Sequence, residues 1–437
     1  MNTKQSSKWI YDSPVNSDVE AKLRRFLVEN ADKILGIQVC AYKDGKVIID
    51  TAVGVLGIDD PRPVQPDTLF PVFSTTKGVT AGMVHWLADK GKLKLDDTVA
   101  NIWSEFGTNG KDQIKVNHIL NHTAGLHNAL AGISEEDDLT LFCDFAECIK
   151  RITAVAPETE PGCVELYHYL SYGWLCGGII EHASGEKFGD ILEKAFVRPL
   201  NVEGEFYIGI PLGVESRLAT LTIDAAELSL MAKQFSPTSS PGFLPSTFSI
   251  NTVSTLITIS NTLNVRRAIL PAANGHFSAR ALARYYATLV DGGVVPPIHS
   301  STLPPLGSHP HNPTSPSKRT NEVHTKIFNN TKEKVHDAFL GHGDYSDLVS
   351  PNWMFGLGFT RVKKPDGSII GFGHGGLGGS TGYCDINNKF AISVTLNKLS
   401  MGSLTGEIIH FICSELDLPV PQGYKGSSGK LEKPVIN

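Results

Sequence analysis

Apolar and polar residues alternate in different ways along this chain of 437 residues. Residues 17–34 carry helical periodicity, with Val19, Leu23, Phe26 and Leu27 on one side. Next comes GIQVCAYKDGKVIIDTAVG, two β-rich runs around Asp44-Gly45, a pair favoured in tight hairpin turns. The same grammar returns near the other end. FGLGFTRV, SIIGFGHGG, STGYCDI and KFAISVTLN read as antiparallel strands, punctuated by Asp366-Gly367 and Asn387-Asn388. A last helix is expected near 402–416. The middle is mainly helical: GVTAGMVHWLADKG, VNHILNHT, YGWLCGGIIEHAS, FGDILEKAFV and ARALARYYATLVDGG.

Chain ends that supply strands around a middle that supplies helices predict an α+β fold. One antiparallel sheet is formed by both ends and flanked by helices, with a mainly helical domain inserted. The expected catalytic unit runs over 17–415, with sheet parts at about 17–75 and 350–415 and a helical part at about 76–290. Residues 296–350 open on a Pro-, Ser- and His-rich stretch and read as a variable loop region. Residues 1–16 and 421–437 read as polar tails. A cleft between the two parts is a usual place for a pocket, with walls expected from about 205–270 and 300–350.

Composition narrows the function. Apolar residues make up 41% and charged residues 19%, as in an ordinary globular protein. The net charge of -6 leaves no basic surplus for phosphates, which argues against a nucleic-acid partner. The polar N-terminus lacks the apolar core of a secretory signal, and no run approaches the ~20 apolar residues of a membrane span. The seven cysteines are scattered without zinc spacing, so reduced thiols and a cytoplasmic location are expected. Oligomeric state has no signature in the sequence.

Candidate chemistry centres on Ser74-Thr75-Thr76-Lys77. On a helix, positions i and i+3 share a face. A serine hydroxyl becomes nucleophilic when a nearby base takes its proton, and a lysine of lowered pKa can be that base. The S-x-x-K pattern recurs at Ser184–Lys187, Ser315–Lys318 and Ser427–Lys430. Only Ser74 follows an extended apolar run, LFPVF, and opens a long amphipathic helix. The bland alternative for Ser74 is a helix cap with an exposed lysine. A rival nucleophile, Ser380 in Gly378-Gly379-Ser380-Thr381-Gly382, fits G-x-S-x-G, but a strand follows it where that motif requires a helix. His118 and His122, four apart, have metal-like spacing without a third ligand, so a structural role, and no metal or cofactor, is expected. Glu165 and Asp385 read as solvated or structural.

Longer segments carry a family resemblance. FSTTKGVTAGMVHWLADKGKLKLDDTV with VNHILNHTAGL, PGCVELYHYLSYGWLCGGIIEHASG, PAANGHFSARALARYYATLVDGG and HGGLGGSTGYCD occur in that order over most of 20–415. Together they resemble the serine β-lactamase-like superfamily of class C β-lactamases, D-alanyl peptidases, carboxylesterases and acyltransferases, in its eukaryotic β-lactamase-domain type. The resemblance implies a β-lactamase/transpeptidase-like fold and a serine hydrolase. Ser74 would be acylated, Lys77 would be its base and Tyr167 would shuttle the proton. His374-Gly375-Gly376 would line the substrate, and the N–H groups of Ser74 and Leu377 would face the oxyanion. Two positions depart from the pattern. Tyr169 stands where the family carries asparagine, and His374 where β-lactamases commonly carry lysine. A neutral histidine attracts a substrate carboxylate weakly. The expected substrate is therefore a small neutral ester or thioester, acted on by a carboxylesterase or acyltransferase. Amide hydrolysis of the β-lactamase or peptidase type and an inactive binding or assembly protein are the alternatives.

Overall fold

The computed structural model describes residues 9–134, 139–236, 242–299, 301–315 and 324–424. The first helix, α1 (Asp18–Glu29), is capped by Ser17, whose Oγ accepts from the Glu20 N–H. It buries Leu23 and Leu27, each contributing ~2 kcal/mol of apolar burial. Strands β1 (Gly36–Lys43) and β2 (Lys46–Gly54) form the expected hairpin. Asp44 and Gly45 both have positive φ, as a two-residue hairpin turn requires.

The C-terminal part supplies β3 (Thr360–Lys363), β4 (Ile369–Gly375), β5 (Thr381–Asp385) and β6 (Phe390–Leu396). The six strands make one antiparallel sheet in the order β2-β1-β6-β5-β4-β3, with Ile37 opposite Leu396. This is the α+β arrangement expected from the pattern. Each face of the sheet is covered. On one face Glu20 of α1 accepts from the Thr51 hydroxyl, and the C-terminal helix Ser403–Glu415 packs beside α1. On the other face Gln38 Oε1 accepts from the N–H of Ala279, the first residue of helix Ala279–Val290.

That helix is buried along its whole length. In sequence it groups with the middle helices, yet it lies flat on β1, β5 and β6. Gly382 makes room for it, because a Cβ there would meet the Tyr286 ring at 2.3 Å. Its other side reaches helix Thr76–Asp89, where the Tyr285 hydroxyl donates to Gly78 O at 2.8 Å. The central helix thus ties the sheet to the helix that follows Ser74.

Three expectations need correction. Of FGLGFTRV only Thr360–Arg361-Val362 enters a strand. Gly358 takes a φ of 95°, which turns the preceding residues out of the sheet. Within 296–350 the chain forms helix Lys332–Leu340, capped by the Thr331 side chain and ended by left-handed Gly341. Pro421–Tyr424, read as the start of a tail, packs down: Gln422 N–H donates to Lys363 O, and Tyr424 is buried. Residues 425–437, including the Ser427–Lys430 pair, lie outside the described residues, as does Lys318.

Candidate active site

Ser74 sits in the turn between the extended Phe70–Pro71 segment and helix Thr76–Asp89. The residue before it, Phe73, has a φ of 44°, a left-handed conformation that a bulky side chain adopts at a cost of ~1–3 kcal/mol. The turn is fastened on both sides. The Thr76 hydroxyl accepts from Gly275 N–H, and the Thr75 hydroxyl donates to Ser380 O at 3.0 Å. The second bond joins the Ser74 turn to the loop that leaves β4.

Lys77 comes one turn later, as the spacing required, and is fully buried. Its Nζ lies 3.1 Å from Ser74 Oγ. It also donates to the carbonyls of Tyr169 at 2.8 Å and Ala272 at 2.9 Å. No carboxylate lies within ion-pair distance of it among the described residues. Burial therefore pushes its pKa well below the ordinary lysine value. The ring of Tyr167 lies beside the amine, 4.8 Å from Nζ. Burial raises the Tyr167 phenol, and a hydrogen bond with Ser74 partly opposes this.

The end of β4 closes against the same turn. A Cβ on Gly376 would stand 2.1 Å from Val72 O, so only glycine allows this approach. Gly376 N–H donates to Ser380 O. The N–H groups of Ser74 and Leu377 take no partner among the described residues. His374 is buried, with Nδ1 2.8 Å from Gly375 O and Nε2 without a protein partner. Burial first, and then the neighbouring Lys77, lowers its pKa to about 3, so the ring is neutral at pH 7. The structure thus brings Ser74, Lys77, Tyr167, His374, Gly375, Gly376 and Leu377 into one region.

The other candidates fall elsewhere. Ser380 Oγ accepts from Leu396 N–H inside the sheet. Ser184 donates to Ile180 O at the end of helix Ser171–Ser184, with left-handed Gly185 as the cap. His118 accepts from Lys115 N–H. His122 is buried among Tyr167, Tyr172 and Phe355, and its Nδ1 accepts from His168 N–H. Among the described residues no group of three or more His, Cys, Asp or Glu could hold a metal ion. The seven cysteines are unbridged, and no described helix is long and apolar enough to cross a membrane. Glu165 accepts from Met354 and Phe355 N–H, and Asp385 accepts from Asn388, so both shape the backbone.

Two groups escaped the sequence reading. Carbonyls of Tyr169 and Ala272 hold the amine, at the place where the family carries an asparagine and this chain carries Tyr169. A cavity of about 350 Å³ beside the site is lined by Phe243 and Met354, and also by Tyr424. The wall at Phe243 was expected; the one from the C-terminal segment was not, because a short polar stretch gives no packing signal.

A serine and a buried lysine at one helix start, facing the end of an antiparallel sheet, define a serine hydrolase of the esterase and β-lactamase type. The Beta-lactamase family model matches residues 23–408, and the chain belongs to that family. It is 29% identical over 370 residues to the Esterase/beta-lactamase LipL of Mycobacterium tuberculosis, a match covering 83% of this chain and 77% of that protein. With Esterase EstB of Burkholderia gladioli it shares 26% identity over 184 residues, covering 39% of this chain and 46% of that one. Among solved structures, a penicillin-binding protein homologue from Caulobacter crescentus aligns with a TM-score of 0.66 and 28% identity, over 90% of this chain and 94% of that one. A family VIII carboxylesterase has the same fold, with a TM-score of 0.66, 23% identity and coverage of 90% and 94%.

Proposed function

We propose that the protein hydrolyses small neutral carboxylic esters or thioesters through an acyl-enzyme on Ser74. The observation that carries this reading is the setting of Lys77. A neutral amine has two N–H bonds and one lone pair. With both N–H groups engaged by Tyr169 O and Ala272 O, the lone pair points to Ser74 Oγ, which then donates its proton. Burial without a counter-ion lowers the Lys77 pKa and so favours this neutral form.

In the acylation step Ser74 Oγ attacks the ester carbonyl as its proton passes to Lys77. The oxygen that gains charge is received by the N–H groups of Ser74 and Leu377. The C–O bond to the alcohol then breaks, and the departing oxygen takes the proton from Lys77 by way of the Tyr167 hydroxyl. Water enters by the reverse route and frees the acid. Neutral His374 offers no charge for a substrate carboxylate, which favours esters over β-lactams. Of the relatives, LipL is named as both esterase and β-lactamase and EstB as an esterase, which supports ester hydrolysis without excluding β-lactams.

The test is acylation with p-nitrophenyl acetate, quenched early and read by mass spectrometry. An acetyl group on the peptide containing Ser74, absent in Ser74→Ala, is expected. Acetate release by Ser74→Ala at the wild-type rate sinks the reading. Nitrocefin turnover matching that of short esters overturns the substrate preference.

A further inference from the structure

The cavity beside the site has a lining that points to its occupant. It starts at His374 and Gly375 and runs past Phe243 and Met354 to Tyr383 and Tyr424. The ring of Tyr167 lies 6.4 Å from that of His374 and 6.5 Å from that of Phe243, so the cavity begins one side chain away from Ser74. At that point β4 has a free edge. Its pairing with β3 ends at Gly373 opposite Thr360, so Gly375, which pairs with Thr381 of β5 on its other side, is open on the β3 side where it lines the cavity.

Two of the three charged groups of the wall, Arg361 and Glu165, are held by the backbone. Arg361 donates to the carbonyls of Leu340, Ser350 and Trp353, and Glu165 accepts two backbone N–H groups. Lys363 is half-buried, and its carbonyl holds Gln422 N–H. The rest of the wall mixes the polar residues Asn352, Thr360 and Gln422 with a larger apolar part, in which Phe243, Tyr383 and Tyr424 supply rings and Met354 and Val362 aliphatic surface. Its far side is a strap, Pro421–Tyr424. The Tyr424 ring stacks on Tyr383 at 5.4 Å, and its hydroxyl bonds with that of Thr381 at 2.7 Å. A volume of about 350 Å³ suits a small organic group, and rings set in such a wall favour another ring.

We propose that this cavity receives the alcohol part of the substrate, that the alcohols it prefers carry an aromatic ring, and that Tyr424 of the strap sets this preference. The inference rests on the Ser74 reading, because Tyr167 protonates the departing oxygen and so places the leaving group on its own side. Tyr424 touches no reacting atom; it is a specificity residue.

The experiment compares benzyl acetate with ethyl acetate, whose leaving alcohols have similar acidity. In the wild type kcat/KM for the benzyl ester is expected to exceed that for the ethyl ester about tenfold or more, mainly through KM. Tyr424→Ala is expected to bring the ratio close to one, and Tyr424→Phe, which keeps the ring, to retain most of it. If Tyr424→Ala does not fold, product inhibition of the wild type decides. Benzyl alcohol is expected to inhibit ethyl acetate hydrolysis at concentrations at least about tenfold below those of ethanol. Equal kcat/KM for the two esters, equal inhibition by the two alcohols, or a ratio unchanged in folded Tyr424→Ala overturns the proposal. Failure of the Ser74 reading looks different: the wild type takes no acetyl group on Ser74.

Discussion

Lys77 and Arg280 are both withdrawn from water, but their surroundings are opposite. Arg280 meets Glu205 in a two-pronged pair, with Nη2 to Oε1 at 2.6 Å and Nε to Oε2 at 2.8 Å. Ser278 and Thr302 complete the cluster, and Thr302 passes the chain of bonds to Asp50. Burial works against the Arg280 charge, and Glu205 more than reverses this, so the guanidinium holds its proton more firmly than usual. Lys77 has only carbonyls and a hydroxyl. The same burial, without a carboxylate, lowers the pKa of Lys77, as the base role proposed above requires. A paired buried charge suits a structural role, whereas a buried amine without a counter-ion suits the base role proposed for Lys77.

The comparison can be broken at either end. Lys77→Ala is expected to lower kcat/KM by about 10³-fold or more on any ester while the protein stays folded, read by steady-state kinetics and circular dichroism. In the wild type, kcat/KM is expected to rise with pH through a Lys77 pKa lying well below 10.5. Between that pKa and 10.5 the unfolded chain binds the extra proton, so Lys77 makes stability rise with pH across the same window. Glu205→Gln leaves Arg280 buried without its partner. A loss of about 3–5 kcal/mol in urea unfolding is expected, with kcat/KM of the folded fraction changed little.

A finer distinction lies inside the paired cluster. Burial raises Asp50 to about 6, partly offset by Arg280. A raised acid stabilises the fold while protonated, and this contribution is lost as pH rises from about 4 through about 6. A shift of about two units corresponds to about 3 kcal/mol. Asp50→Asn is therefore expected to gain stability relative to wild type over that pH range, by at most this amount, in a pH series of melts. The smallest effect is expected at His374. With its pKa near 3, His374→Gln should leave the pH profile of kcat/KM between 5 and 8 unshifted. Disappearance of an inflection in that range would show that the histidine carries a proton after all.

Side-chain patterns made much of this legible. Asp44-Gly45 announced its hairpin, and Ser74 with Lys77 announced a shared helix face. Positions that act through their backbone were not legible. Any residue offers a carbonyl, so nothing marks Tyr169 or Ala272 as holders of the amine. Gly376 could be read as a site of close approach, but not as one against Val72. Tyr424 stood alone in a polar stretch, and only packing on Tyr383 reveals its place. The helix at Lys332–Leu340 was missed although Thr331 and Gly341 mark its ends, because the nearby Pro- and Ser-rich segment dominated the reading.

The pairing of β1 with β6 has a consequence for the order of events during synthesis. Ile37 leaves the ribosome long before Leu396, and every contact between them waits for the intervening chain. The helix of Ser74 is translated early, while the strand that brings Gly375 to Leu377 against it arrives near the end. A chain interrupted before that strand carries its serine and lysine without the rest of the site. On the proposed mechanism, nascent fragments that end before this strand are expected to be inactive on esters.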